Sequence, residues 1–323
     1  MTGGNPDDGT VAVHCGRWGP SLLDALRRGL PDTYLVASGT AEAASADVLV
    51  TLIDDGSAVT GALTEPFTGA LTPSVRWVHI LGAGADGFPF EVLGDRVLTC
   101  SRGAGAAAIA EFVLATMLAF EKDLPDSWIT EPPDVWNTAQ LGGLEGRSLG
   151  LVGLGAIGTE VARRSLAFAM DVTAVRRTSA PSPIDGVTLA PDLATLLGGS
   201  DHVVVVAPST AATHHLLDDA AFAAFRPGTH LVNVARGSLI DQDALGRALD
   251  DGRVARASLD VVDPEPLPAG HPFYSHPNVR LSPHISWSSP RTAARTMSLF
   301  AENLARFRSG AELRGIVDTE AGY

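Results

Sequence analysis

The chain has 323 residues, of which 45% are hydrophobic and 19% are charged. That length is too great for one simple core and is typical of two domains of about 100–200 residues each, while the composition is that of an ordinary globular protein. The net charge of −14 argues against nucleic acid and anionic membranes as partners, and two cysteines are too few for a disulfide framework or a cysteine metal site.

The N-terminal sequence, MTGGNPDDGT, is polar and acidic, and it lacks the basic and apolar regions of a secretory signal. The longest apolar runs fall short of a membrane span or carry a charged residue. We therefore expect a cytoplasmic protein.

Five apolar runs in the first 100 residues predict a parallel α/β unit, because short aliphatic runs alternate there with helical or turn-rich segments. These candidate strands read VAVHC, TYLVAS, DVLVTLI, VRWVHIL and RVLTC. An apolar helix is predicted next over residues 105–120, and a Pro-rich, irregular arm follows over 124–140.

Six further strands predict a doubly wound sheet: SLGLVGL, DVTAVRR, HVVVVAP, HLVNVAR, RASLDVV and VRLSPHI. An amphipathic helix from Pro290 to about Ser309 is expected to return to the first unit. The predicted fold class is therefore α/β, with two Rossmann-like doubly wound parallel-sheet domains and a cleft between them. A discontinuous, flavodoxin-like substrate domain would comprise residues 1–102 and 289–323, and a dinucleotide-binding Rossmann domain would comprise residues 103–288.

The segment SLGLVGLGAIG has the glycine spacing, G-x-G-x-x-G, that dinucleotide-binding proteins place between a strand and a helix. Its first glycine permits a tight turn, its second lets the backbone approach a pyrophosphate, and its third lets the helix pack closely on the strand. The phosphates would rest on the amides at the start of a helix predicted over 157–169, where the helix dipole favours negative charge. The residues expected to contact the cofactor here are Gly153, Gly155, Ala156, Ile157 and Gly158.

Three polar residues in the last third of the chain offer a cation, a carboxylate and a proton carrier. Arg236 in NVARGSLID, Glu265 in LDVVDPEPLP and His284 in LSPHIS lie where strands can end at a cleft. Taken singly, each is as often a solvated or structural residue, but beside the glycine loop they favour hydride chemistry on an anionic carbonyl compound. The other histidines lack a partner motif; His214 and His215 are predicted to diverge at a helix start, and no metal-ligand spacing accompanies them.

Several motifs, in order along the chain, resemble those of the D-isomer-specific 2-hydroxyacid dehydrogenase family, in particular its glyoxylate/hydroxypyruvate reductases. They are WVHILGAGADGF, SRGAGAAAIAEF, GLGAIG, NVARGSLID, LDVVDPEPLP and SPHIS, and the resemblance extends from about residue 70 onward. L-Lactate and malate dehydrogenases fit poorly, because their glycine loop lies at the N-terminus.

The resemblance implies roles for the three polar residues. Arg236 would bind the substrate carboxylate and help to polarise the carbonyl, for which a bidentate guanidinium is well suited. His284 would exchange a proton with the carbonyl oxygen, and a free histidine titrates near pH 6.5, so both directions are accessible. Glu265, five residues after Asp260, would fix the imidazole tautomer and favour the charged form; a formate-type dehydrogenase would have an amide there.

The resemblance also implies further binding residues. Asp260 resembles the family residue that holds the nicotinamide amide, and the cofactor site is expected to include Ala207, Pro208, Thr213 and Val234. The loop Gly82-Ala83-Gly84 follows the strand VRWVHI, where the family binds the substrate carboxylate with backbone amides. A plain glycine turn is the alternative for that loop.

Cofactor choice depends on the end of the second Rossmann strand. An NAD site usually has an acidic residue about 20 residues after the first glycine, to bond the ribose hydroxyls. Here DVTAV is followed by Arg176, Arg177 and Thr178, which would receive a 2′-phosphate that an aspartate would repel. We therefore predict NADP(H) as the preferred cofactor, with NAD(H) possible; the alternative is that both arginines line a solvated edge.

The predicted function is NADPH-preferring reduction of a small 2-oxo acid, such as glyoxylate or hydroxypyruvate, to the D-2-hydroxy acid. The family joins two subunits through the helix 105–120 and the arm 124–140, and Trp128 and Trp136 on this arm agree with a homodimer. Trp287 could cover the nicotinamide or substrate pocket, or pack at a hinge. The alternative functions are a non-enzymatic dinucleotide-binding sensor or corepressor on this fold and an NAD-dependent, phosphoglycerate-like dehydrogenase.

Overall fold

The computed structural model describes residues 9–16, 20–52, 65–178 and 180–323. The chain divides into two compact units, one formed by Met1–Gly105 with Ser289–Tyr323 and the other by Ala106–Ser288. A parallel β-sheet with flanking helices organises each unit, which confirms the predicted α/β class.

The described residues form twelve strands: β1 (Val11–His14), β2 (Leu35–Ala37), β3 (Val48–Thr51), β4 (Trp77–Ile80), β5 (Val97–Cys100), β6 (Ser148–Val152), β7 (Asp171–Val175), β8 (Val187–Leu189), β9 (His202–Val205), β10 (Thr229–Asn233), β11 (Val254–Leu259) and β12 (Val279–Leu281). They also form eight α-helices: α1 (Pro20–Gly29), α2 (Glu65–Ala70), α3 (Ala106–Glu121), α4 (Ala156–Ala167), α5 (Leu193–Gly198), α6 (Asp219–Ala224), α7 (Gln242–Asp250) and α8 (Pro290–Ser309). Among these helices, none has the length and apolar character needed to cross a bilayer.

The sheet of the first unit has the strand order β2-β1-β3-β4-β5, which is the flavodoxin-like order. Its strands β1, β3 and β4 are buried along their whole length, as expected for parallel strands that are covered on both faces. The C-terminal helix α8 belongs to this unit because Phe300 stacks on Trp77 in its core, with ring centroids 5.5 Å apart. The prediction for this helix is confirmed: it begins after the N-cap Ser289 and ends at Gly310, which has a φ of 70°.

The sheet of the second unit has the order β12-β11-β10-β9-β6-β7-β8. The order reverses between β6 and β9, and such a switch point is where open α/β sheets bind ligands. All six strands predicted from the sequence are present, but the count of six was wrong because β8 adds a seventh. This edge strand has only three residues, Val187–Leu189, and pairs with β7 alone.

Helix boundaries differ slightly from the prediction. The helix expected over 157–169 is α4, Ala156–Ala167, and it ends before Ala169, whose φ of 55° is not helical. The helix expected over 105–120 is α3, Ala106–Glu121. The arm beyond it is irregular, as predicted.

Candidate functional site

The glycine loop lies between β6 and α4, at the switch point. Gly153 has a φ of 110°, and a Cβ there would lie 2.9 Å from the amide nitrogen of Ala207. A Cβ on Gly158 would lie 2.5 Å from the carbonyl oxygen of Gly153, whereas a Cβ on Gly155 would meet nothing within 4 Å. The loop is therefore closed against the protein at its first and third glycines and open at its second.

The start of α4 agrees with a phosphate site. Gly155 is the N-cap residue, and no side chain caps the helix there. The amides of the first turn, which include those of Ala156 and Ile157, therefore keep their donors for a ligand. An open glycine beside an uncapped helix start fits a pyrophosphate, so the residues present fit a dinucleotide.

Arg176, Arg177 and Thr178 follow β7, as the sequence requires. The guanidinium of Arg176 donates through Nη1 to the carbonyl oxygens of Pro181, at 3.2 Å, and Ala180, at 3.5 Å. Carbonyl acceptors hold the side chain without neutralising it, and within the described ranges no ion pair involves Arg176. Arg177 and Thr178 are exposed.

The loop after β9 supplies three of the predicted cofactor residues. Ala207 lies against Gly153, and Thr213 Oγ1 donates to the carbonyl oxygen of Pro208 and accepts from the amide of Thr210, both at 2.8 Å. These bonds close a turn beside the switch point, after the carboxyl end of β9. Val234 is different, because its side chain is buried in the core of the unit, so that only its backbone could face a cofactor.

We predicted that His214 and His215 diverge at a helix start, and this prediction was wrong. They lie on a turn, their rings are stacked with centroids 4.0 Å apart, and His215 has a φ of 49°. The left-handed backbone at His215 brings the second ring back over the first.

The three strands that precede the polar trio are neighbours in the sheet and in register. Asn233 at the end of β10 pairs with Leu259, and Leu259 pairs with Leu281 at the end of β12. The segments that carry Arg236, Glu265 and His284 therefore all follow the carboxyl ends of adjacent strands, on the same side of the sheet.

The turn that carries Arg236 is shaped by Asn233. The Asn233 side chain accepts from the amide of Ala235 at 3.0 Å and donates to the carbonyl oxygen of Arg236 at 2.9 Å. Gly237 then lies directly on the Glu265 segment, where a Cβ would overlap the carbonyl group of Val262. Gln242 of α7 bonds both the amide and the carbonyl group of Asp263 through its side chain, so the two segments are held together.

Glu265 and His284 form a hydrogen-bonded pair. Oε2 of Glu265 lies 2.9 Å from Nδ1 of His284, and Oε1 accepts from the amide of Val262 at 3.1 Å. Because an ionised carboxylate can only accept, this contact places a proton on Nδ1. Both side chains are about a quarter exposed, at 26% and 27%.

Asp260 is buried and organises the histidine segment. Its carboxylate accepts from the hydroxyl of Ser282 at 2.5 Å and from the amides of Ile285 and Ser286 at 2.9 Å each, and its carbonyl oxygen accepts from the amide of His284 at 2.9 Å. The sequence did not predict this contribution. The expected bond to the nicotinamide amide stays a prediction.

In the first unit, the loop Gly82-Ala83-Gly84 turns the carbonyl groups of Gly82 and Ala83 toward β5. The amide of Ser101 donates to the carbonyl oxygen of Gly82 at 2.9 Å, and the thiol of Cys100 donates to that of Ala83 at 3.3 Å. Burial raises the pKa of the Cys100 thiol, so it keeps its proton. Since the N–H of a trans peptide points opposite to its C=O, the amides of Ala83 and Gly84 face away from β5, and among the described residues they meet no acceptor. Two neighbouring amides of this kind can bind a carboxylate.

Sequence reasoning missed a buried polar chain in the second unit. His202 Nε2 lies 3.0 Å from Glu121, His202 Nδ1 lies 3.2 Å from His230, and His230 Nε2 lies 2.9 Å from the hydroxyl of Ser258. Burial, together with the charges of His202 and Arg256, holds the pKa of His230 well below its ordinary value. Glu121 ends the largely apolar helix α3, which also carries the exposed Glu111. The position of Glu121 at the helix end was the only signal in the sequence.

Comparisons with known proteins agree with this geometry. The sequence model described as "D-isomer specific 2-hydroxyacid dehydrogenase, NAD binding domain" matches residues 114–286. A glyoxylate/hydroxypyruvate reductase A from Serratia proteamaculans is 31% identical over 260 residues, which cover 77% of this chain and 82% of that protein. A glyoxylate reductase from Korarchaeum cryptofilum is 31% identical over 290 residues, which cover 85% and 87%. The crystal structure of a D-isomer specific 2-hydroxyacid dehydrogenase from Xanthobacter autotrophicus Py2, in complex with NADPH and MES, has a TM-score of 0.82 at 27% identity and covers 98% of this chain and 99% of that one.

Proposed function

The chain belongs to the D-isomer specific 2-hydroxyacid dehydrogenase family and is an oxidoreductase, and on this premise we propose that it reduces a small 2-oxo acid with NADPH in preference to NADH. Glyoxylate and hydroxypyruvate are the proposed substrates. The product from hydroxypyruvate is the D-2-hydroxy acid, whereas the 2-hydroxy acid formed from glyoxylate has no stereocentre. The proposal depends most on the 2.9 Å bond between Glu265 and His284, at the sheet edge that also carries Arg236.

In this proposal His284 is the general acid of the reduction. Its Nδ1 proton is held by Glu265, so the proton given to the substrate carbonyl oxygen comes from Nε2. The Glu265 carboxylate orients the ring and stabilises the imidazolium that must form before the proton is given. In the oxidative direction the same nitrogen takes the proton from the hydroxyl group.

Arg236 is proposed to bind the substrate carboxylate and to polarise the carbonyl group. A planar guanidinium can bond both oxygens of a carboxylate at once, which fixes the orientation of the substrate. The amides of Ala83 and Gly84 are proposed as further carboxylate donors, supported by their orientation away from β5.

The glycine loop and the start of α4 are proposed to hold the cofactor pyrophosphate, and Arg176, Arg177 and Thr178 its 2′-phosphate. The bound reduced nicotinamide supplies the hydride. The preference for NADPH is supported by the guanidinium of Arg176, whose hydrogen bonds within the described part of the chain go to carbonyl oxygens, and by the exposed Arg177 next to it.

Steady-state turnover with glyoxylate, hydroxypyruvate, pyruvate and phenylpyruvate, each with NADPH and with NADH, tests the proposal. We expect NADPH to be preferred, and we expect Arg177→Gln to lower kcat/KM for NADPH about tenfold without changing that for NADH, as the loss of one charge-assisted bond predicts. Arg253→Gln is the matched control, because Arg253 lies immediately before β11 and bonds the carbonyl oxygen of Ala223. Equal use of NADH by the unmodified enzyme contradicts the cofactor preference, and absence of turnover with every acid contradicts the substrate class.

We also propose a cytoplasmic homodimer that forms through α3 and the arm 124–140. Trp128 and Trp136 are 71% and 73% exposed. A pocket of about 310 Å³ is lined by α3, by the start of the arm and by residues of β11 and β12, among them Arg256 and Arg280. Exposed indoles on an irregular arm are typical of an interface. Light scattering should give twice the chain mass, and serine at both tryptophans should lower it.

A further inference from the structure

We propose that Trp287 is a positioning residue for His284. The indole Nε1 of Trp287 donates a hydrogen bond of 2.9 Å to the carbonyl oxygen of His284. This inference rests on the acid–base function proposed above for His284. Trp287 contacts the backbone of His284, and it affects the reaction only through the orientation of the imidazole.

His284 needs such support because its backbone is in the left-handed region, with a φ of 53°. A residue with a Cβ rarely adopts this conformation, and it persists only where the surroundings hold it in place. The conformation directs the imidazole at the carboxylate of Glu265. A relaxed backbone at His284 would direct the ring elsewhere.

The support comes from both sides of the residue. On the N-terminal side, the amide of His284 donates to the carbonyl oxygen of Asp260 at 2.9 Å. On the C-terminal side, the Asp260 carboxylate holds the amides of Ile285 and Ser286, and the Ile285 amide belongs to the same planar peptide as the His284 carbonyl. The indole of Trp287 holds that carbonyl group, so it fixes the remaining end of the peptide that follows the histidine.

The contact is a directed hydrogen bond more than a packing contact. Trp287 is 50% exposed, so the surrounding protein encloses only half of its side chain. Its N–H is the one donor of an indole, and it is used on the histidine carbonyl, three residues earlier in the chain. Without the donor, the peptide between His284 and Ile285 is held only through the Ile285 amide. It can then tilt about that single bond, which weakens the bond between the imidazole and Glu265.

The test separates the donor from the ring. Trp287→Phe keeps an aromatic ring and removes the N–H, and β-(3-benzothienyl)alanine placed at position 287 by codon suppression keeps the shape of the indole with sulfur instead of N–H. We expect both changes to lower kcat about tenfold while KM for the 2-oxo acid and for NADPH stays within about twofold, because misorientation of the acid affects the reaction step and not binding. Tyr274→Phe is the matched control. Tyr274 is a 56% exposed aromatic residue whose hydroxyl donates to a backbone carbonyl, that of Leu267, at 3.1 Å.

A second measurement is independent of turnover. In protein labelled with ¹⁵N-histidine, the Nδ1–H signal of His284, assigned by its loss in His284→Asn, should broaden or disappear in both Trp287 variants and persist in Tyr274→Phe. A purely structural contribution of Trp287 would lower the unfolding midpoint without a selective loss of this signal.

The outcomes distinguish the inference from the proposed function. If His284→Asn keeps its turnover, the acid–base function is wrong and the inference has no basis. If His284→Asn is inactive while both Trp287 variants keep kcat and the Nδ1–H signal, the inference alone is overturned. A rise in KM at constant kcat also overturns it, because Trp287 would then be a binding surface.

Discussion

Gly237 lies so close to Val262 that a Cβ at residue 237 would overlap the Val262 carbonyl group. This contact joins the turn that carries Arg236 to the segment that carries Glu265. Gly237→Ala must push the two segments apart, and we expect it to lower the free energy of unfolding by about 1–3 kcal/mol, as overpacking does, and to lower kcat/KM as well.

Denaturant unfolding together with steady-state kinetics checks this prediction. Gly246→Ala is the control, because a Cβ at that position in α7 meets nothing within 4 Å and should stabilise the helix by about 0.5–1 kcal/mol. An unchanged stability in Gly237→Ala would mean that the backbone accommodates the methyl group, contrary to the geometry.

Glu265→Gln should lower kcat at least about tenfold. We expect a smaller loss than the roughly 10²–10⁴-fold that a general acid itself contributes, because Glu265 acts on the reaction through His284. Glutamine can still accept from Nδ1 of His284 through its amide oxygen, so the geometry is retained and only the negative charge is lost. Asp263→Asn removes an exposed carboxylate two residues away and should leave kcat unchanged. Equal losses in the two variants would assign the effect to the net charge of the segment.

Cys100→Ala should raise KM for the 2-oxo acid severalfold and leave KM for NADPH unchanged. The change removes the thiol that donates to the carbonyl oxygen of Ala83 at 3.3 Å, so the amide of Gly84 loses its fixed direction. Cys15→Ala is the control, because the Cys15 thiol bonds the carbonyl oxygen of Val13 and the backbone of Leu23, neither of which belongs to the loop Gly82-Ala83-Gly84. An unchanged KM in Cys100→Ala, with a raised KM in Gly84→Pro, would show that the amides bind the carboxylate without help from the thiol.

The sequence predicts those features that depend on consecutive residues. Buried parallel strands are continuous aliphatic runs, and the glycine loop has a fixed spacing, so both were found. The three-residue strand β8 is too short for a pattern and depends on β7 for its hydrogen bonds. The contact between Glu121 and His202 joins residues 81 positions apart, and the packing of Gly237 on Val262 depends on how two strand ends approach. Contacts of this kind follow from the tertiary structure, and no local pattern predicts them.

Acid should destabilise the first unit through His79. This residue is buried among Trp77 and Phe300, its ring nitrogens lie 2.7 Å from the hydroxyl of Thr99 and 3.1 Å from that of Ser101, and burial lowers its pKa from 6.5 to about 4. Between these two pH values the unfolded chain binds a proton that the folded chain excludes. The contribution of His79 to stability is therefore complete above its unfolded pKa and is lost as the pH falls toward 4, which amounts to about 2 kcal/mol at pH 5.

The measurement compares the unfolding free energy at pH 7.5 and at pH 5 in the unmodified protein and in His79→Asn. The variant should be less stable at pH 7.5, because it loses fitted hydrogen bonds, but it should lose less stability on acidification, because the titrating group is gone. His230→Asn should reduce the acid sensitivity in the same direction, since burial lowers the pKa of His230 as well. Parallel pH curves for the unmodified protein and His79→Asn would show that His79 takes up its proton in the folded state, against the effect of burial.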